Sequence, residues 1–68
     1  MINHVKAFRE KNAITQEQLA RLAGVSRQSI ISIEKGQYVP TTILALKLAE
    51  LLQVRMEELF VLEKNDWK

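Results

Sequence analysis

Cysteine is absent from this sequence, and with it go disulfides and any Cys-ligated zinc site. A reducing compartment is thereby allowed. Histidine occurs once, at His4, which cannot build a metal cluster. Without Cys or a second His, the nucleophile and base pairings on which most enzymes depend are missing. Neither an enzymatic activity nor a metal or other cofactor is expected. No uninterrupted apolar run exceeds four residues, Ile43 to Leu46 being one, against the ~20 that a membrane span requires. The first residues, Met1-Ile2-Asn3-His4, lack the basic stretch and apolar core of a secretory signal, so the cytoplasm is the expected compartment. Two glycines and one proline leave little material for strand-and-turn architecture, so helices separated by side-chain caps are expected instead.

What is present is 47% apolar and 26% charged residues, the composition of a folded chain with a packed core. Its 68 residues are expected to form one domain, 1 to 68. A chain this short buries only roughly 60% of its unfolded surface, so a partner subunit is a natural source of added stability. The net charge of +2 is unevenly spread. Residues 1 to 36 carry six Lys or Arg against three acids, while residues 37 to 68 carry four bases against five acids. A basic first half is compatible with a polyanionic partner and equally with scattered solubilising charge.

The helix boundaries follow from the caps. Asn3 is placed to cap a first helix running to about Asn12, with Val5 and Phe8 inward. Thr15-Gln16-Glu17-Gln18 has the form of a capping box and starts a second helix at Gln16, which carries Leu19, Ala20 and Ala23 inward and stops at Gly24. Ser26 caps a third helix from Arg27 to about Lys35, with Ile30 and Ile33 inward and Gly36 at its end. Pro40 marks a loop, and Thr41 or Thr42 caps a fourth helix, Ile43 to Leu52, that is apolar around nearly its whole circumference. A fifth, short helix runs from Met56 to about Phe60, with Glu57 and Glu58 suiting the dipole of its first turn. The tail, 61 to 68, is open to reading as a strand, a frayed end or a partner-binding strip. The fold class is therefore all-α, a five-helix bundle.

The second and third helices, joined by Ala23-Gly24-Val25-Ser26, have the lengths of a helix-turn-helix spanning about 15 to 36. The run Thr15-Gln16-Glu17-Gln18-Leu19-Ala20, then Gly24-Val25-Ser26-Arg27-Gln28-Ser29-Ile30, Ile33-Glu34-Lys35-Gly36 and Pro40 resembles the Cro/CI-type (XRE) helix-turn-helix family over roughly residues 5 to 60. The resemblance implies a sequence-specific, double-stranded DNA-binding transcriptional regulator, commonly dimeric. The short stand-alone members it looks most like in some cases add a small β element made from their termini.

Residue by residue, the resemblance implies base contacts from Arg27, Gln28 and Ser32, with the third helix in the major groove, and phosphate contacts from Gln16, Ser29, Lys35 and Tyr38. The chemistry suits those roles. An Arg can donate twice to guanine and a Gln can pair with adenine, and a helix start with a side-chain amide suits an anion. On a helical wheel Gln28 and Ser32 lie at about 100° and about 140° from Arg27, whereas Ile30 and Ile33 lie at about 300° and about 240°. Ile31, at about 40°, is read either as packing on Tyr38 or Val39 or as touching a thymine methyl. The resemblance also implies a structural ion pair between Arg9 and Glu34. Ala13 stands where many relatives have Gly, so Asn12 is expected to take the left-handed conformation. Gln53 and Arg55 likewise replace a preferred Gly and a preferred Ser or Thr at the turn into the fifth helix.

The expected function is that of a repressor binding a near-palindromic operator as a homodimer, without a small-molecule ligand. Its dimer surface is expected to come from Leu51, Val61, Leu62 and Trp67, within an apolar surplus that includes Leu46, Leu48 and Leu52. The alternative is an antitoxin-like or bridging module that works through the apolar fourth helix and the tail.

Overall fold

The computed structural model describes all residues from Met1 to Lys68. A strand β1 (Ile2–Asn3) precedes helices α1 (Val5–Lys11), α2 (Gln16–Ala23), α3 (Arg27–Glu34), α4 (Thr42–Leu51) and α5 (Met56–Leu59). Strand β2 (Phe60–Val61) and a 3-10 turn (Lys64–Trp67) complete the chain. The two strands form an antiparallel ribbon, Ile2 opposite Val61 and Asn3 opposite Phe60, so the β element is built from the two ends of the chain. No helix is long and apolar enough to cross a membrane.

The helix starts follow the capping logic. Thr15 Oγ1 accepts the Gln18 N–H at 3.0 Å and the Gln18 side chain accepts the Thr15 N–H at 2.9 Å, a complete capping box. Ser26 Oγ takes the Ser29 N–H at 3.1 Å, and Thr41, not Thr42, takes the Leu44 N–H at 3.2 Å. Arg55 offers no side-chain cap to α5, so the only reciprocal contact is Glu58 accepting the Arg55 N–H at 3.0 Å. At α1 the expectation needs correcting. The residue immediately before the helix is His4, which makes no side-chain cap, while Asn3 sits in β1 and takes the Val5 N–H from one position further out, at 3.3 Å.

The helix ends share one pattern. After α1, α2, α3 and α4 the chain reverses through a left-handed residue, in turn Ala13, Gly24, Gly36 and Gln53. Each reversal makes the two hydrogen bonds of a Schellman motif, for example Gly24 N–H to Arg21 O and Val25 N–H to Ala20 O. Asn12 does not take the left-handed conformation, and the reason is non-local. Its side-chain Nδ2 donates to Phe8 O at 2.8 Å and to Leu52 O at 3.2 Å, which holds it at φ −88 and passes the reversal to Ala13.

The core gathers Val5, Leu19, Ala20, Ala23, Ile30, Ile33, Leu44, Leu48, Ala49, Leu52 and Leu59, so every helix contributes. Helix α4 is less uniformly covered than its composition implies. Leu48 and Leu52 are buried in their own bundle and are not surplus surface, whereas Ile43 and Leu46 are 69% and 52% exposed. With Lys47 and Glu50 they form one outward stripe at spacing i, i+3, i+4, i+7.

Candidate nucleic-acid interface

The Ser26 cap fixes where α3 begins, and the full burial of Ile30 and Ile33 fixes how it is rotated. With that side held in the core, Arg27 and Gln28 stand exposed on the first turn, and Ser32 is half-buried one turn later. Gln28, Ser29, Ser32 and Tyr38 line a single shallow polar depression together with Ser26. Arg27 turns to the other side of the first turn, where it lines a second polar cleft with Arg9, Thr15, Gln16 and Glu17. Lys35 lies exposed just past the helix and lines neither hollow. Ile31 is half-buried.

Behind this surface sits a buried polar cluster. Arg9 Nε donates to Glu34 Oε2 at 2.6 Å and Arg9 Nη2 to Oε1 at 3.4 Å, a side-on fork in which both side chains are nearly covered. Arg9 Nη1 donates in addition to the Ile14 carbonyl at 2.8 Å, so one guanidinium joins α3, the end of α1 and the approach to α2. Gln16 Nε2 donates to Glu34 Oε1 at 3.0 Å. No buried side-chain polar atom is left without a partner, the condition under which a desolvated charge pair is tolerated.

Gln16 is thus partly turned inward, which its position at a helix start gives no reason to expect. No local spacing signals the contact, because the partner is eighteen residues away. Ser26, read from the sequence only as a cap, also contributes its hydroxyl to the depression beside Gln28, 3.0 Å from the Ser29 hydroxyl.

Residues 5–59 match the helix-turn-helix family model. The chain belongs to the XRE-type helix-turn-helix family. Among its relatives, an uncharacterized HTH-type transcriptional regulator of Methanocaldococcus jannaschii is 46% identical over 66 residues, spanning 97% of this chain and 100% of the relative. The uncharacterized HTH-type transcriptional regulator YgzD of Bacillus subtilis is 42% identical over the same span of this chain and 100% of its own. Among solved structures, the restriction-modification controller protein C.AhdI from Aeromonas hydrophila superposes with a TM-score of 0.77 at 33% identity, covering 84% of this chain and 86% of that one. A hypothetical transcription factor from Neisseria, NHTF, superposes with a TM-score of 0.78 at 25% identity over 94% and 71% of the two chains. In this chain the helix-turn-helix is the pair α2 and α3.

Proposed function

We propose that this protein is a sequence-specific transcriptional regulator that binds a near-palindromic operator as a homodimer, with α3 in the major groove, and acts as a repressor in the cytoplasm. The reading is carried by one observation: α3 is locked by the complete burial of Ile30 and Ile33 while Arg27 and Gln28 project from its first turn into solvent. Arg27, Gln28 and Ser32 read base edges, where bidentate donors discriminate among base pairs. Gln16, Ser29, Lys35 and Tyr38 flank them and anchor to phosphates, which sets register without reading sequence. The names of the relatives, HTH-type transcriptional regulators and a controller protein, support the same role.

Exposed Val61, Leu62 and Trp67, with half-buried Leu51, supply the dimer surface, and Ile43 and Leu46 extend the apolar area available to a partner. In such a dimer the two copies of α3 lie about 34 Å apart and the half-sites roughly 10 base pairs centre to centre. Occupancy of a promoter then blocks transcription directly, and protein concentration or a competing partner sets the level of control.

Selection from a random duplex pool tests the proposal. A two-fold symmetric motif is expected, and no enriched motif would sink the DNA reading in favour of a protein-interaction module. Against the selected site, Arg27→Ala and Gln28→Ala should each cost about 1 to 3 kcal/mol and relax preference at one position of each half-site. Lys35→Ala should weaken specific and random duplexes alike and lower the salt slope by about 1. Sedimentation of the free protein as a lasting monomer at micromolar concentration would contradict the dimer.

A further inference from the structure

The end of α3 is anchored differently from the ends of α1, α2 and α4. At those three, the residue after the left-handed position is apolar and packs on the core: Ile14, Val25 and Val54. At α3 it is Gln37, which is exposed. A side chain from the far end of the chain reaches in instead. Asn3 Nδ2 donates to the Ile33 carbonyl at 2.9 Å across thirty residues of sequence. That carbonyl belongs to the last turn of α3, whose oxygens have no partner within the helix, and it also accepts the Gly36 N–H at 2.9 Å. Asn3 is itself held twice more: its Oδ1 accepts the Val5 N–H at 3.3 Å, and its backbone lies opposite Phe60 in the ribbon. Meeting a carbonyl and an N–H on opposite sides at once suits the two-atom amide, since an ionised carboxylate offers the carbonyl no donor and a serine hydroxyl has a single, shorter-reaching atom for both roles.

We infer that Asn3 is a positioning residue for DNA recognition. By capping Ile33 from the terminal ribbon, it fixes the direction in which the chain leaves α3, and with it the placement of Lys35 and Tyr38. Asn3 contacts no DNA in this arrangement. It acts through the Gly36 reversal, where Gln37 N–H bonds to Ser32 O at 2.9 Å and no apolar anchor follows. The first turn of α3, with Arg27 and Gln28, is held separately by Ser26 and the buried isoleucines. Losing the Asn3 bond therefore loosens the phosphate contacts at one end of the helix and spares base reading at the other. The inference rests on the DNA-binding reading of α3.

The experiment uses the full chain carrying Asn3→Ser, which retains an oxygen for the Val5 N–H and falls short of Ile33. The variant is expected to bind the selected duplex up to about tenfold more weakly, the scale of one neutral hydrogen bond. Its salt slope should be shallower by about 1, and base preference at the positions read by Arg27 and Gln28 should be unchanged. In the free protein the Gly36 and Gln37 amides should exchange faster while Gly24 does not. A folded variant with native affinity, native salt slope and native Gly36 exchange would overturn the assignment of Asn3 while leaving the DNA reading intact. Failure of the unaltered protein to prefer any duplex would remove both. Should Asn3→Ser not fold, the unaltered protein still decides the matter. One Asn3 Nδ2 hydrogen must exchange slowly as a bonded donor, and two freely exchanging hydrogens there would overturn the inference.

Discussion

Helices α2 and α3 leave their last turn through Gly24 and Gly36, both at φ 76, whereas α1 and α4 do so through Ala13 at φ 56 and Gln53 at φ 58. The hydrogen bonds of the four reversals are the same, yet a side chain in the left-handed region costs about 1 to 2 kcal/mol that glycine escapes. The two costly ends adjoin. Phe8, Asn12, Leu52 and Gln53 line one depression, and the Asn12 side chain bonds to the carbonyls of Phe8 and Leu52. The contrast shows that the frame around a helix end, not the residue at the reversal, sets the backbone conformation. Where a neighbouring helix holds the frame, as between α1 and α4, a strained residue persists. In the helix-turn-helix, the two reversals bracketing α3 are both relaxed.

The largest expected effect comes from cutting the buried link between these regions. Glu34→Ala leaves the Arg9 guanidinium covered and unpaired, and should lower unfolding free energy by about 3 to 5 kcal/mol in a denaturant titration. The double variant with Arg9→Ala should lose less than the sum of the single losses. Additive losses would mean that the pair contributes no coupling. Next comes Gly24→Ala. A Cβ there would meet nothing within 4 Å, so the loss is conformational only and should be about 1 kcal/mol. The mirror-image substitutions, Ala13→Gly and Gln53→Gly, should each raise stability by about 0.5 to 1 kcal/mol, the relief of strain being offset in part by the freer unfolded chain. If all three of these lowered stability, the contrast between the two regions would be wrong.

The smallest effect belongs to the chain ends. The Met1 α-amino group lies 2.9 Å from Asp66 Oδ2 and 3.0 Å from Glu63 Oε1, while the Glu63 N–H bonds to Asp66 at 2.7 Å. Hydrogen bonds to Asp66 first and Glu63 second raise the ammonium pKa above its ordinary value. The Glu63 N–H first and the ammonium second lower that of Asp66. The ammonium's contribution is complete below its ordinary pKa and is lost as pH rises through the raised one. That of Asp66 is complete above the ordinary carboxylate pKa and is lost as pH falls through the lowered one. Amide shifts of residues 63 to 67 should therefore move at both edges of this window. Because these groups lie at the surface, global stability should scarcely respond.

Most helix boundaries were legible because caps are local: Thr15, Gly24, Ser26 and Gly36 act on residues no more than a few positions away. The displaced capping role of Asn3, the conformation of Asn12 and the inward contact of Gln16 were not legible for the opposite reason, their partners Ile33, Leu52 and Glu34 being remote in sequence. For α4 the rotation is encoded by two charges. Lys47 and Glu50 mark the outward face, and the apolar residues at matching spacing, Ile43 and Leu46, go out with them while Leu48 and Leu52 go in. The polar face of α3 was legible from Ile30 and Ile33, since two buried residues one turn apart fix the rotation of so short a helix.

The terminal ribbon has a consequence for the order of folding. Pairing Ile2 with Val61 closes a loop of nearly the whole chain, whereas each capping box and reversal closes one of a few residues. Chain entropy makes the long closure the costlier one, and contacts distant in sequence form late. The reversals and the α2–α3 pair therefore assemble before the ends of the chain meet, and the ribbon, two residues per strand and edged by solvent, opens before the rest unfolds. Asn3 reaches Ile33 only once that last closure is made.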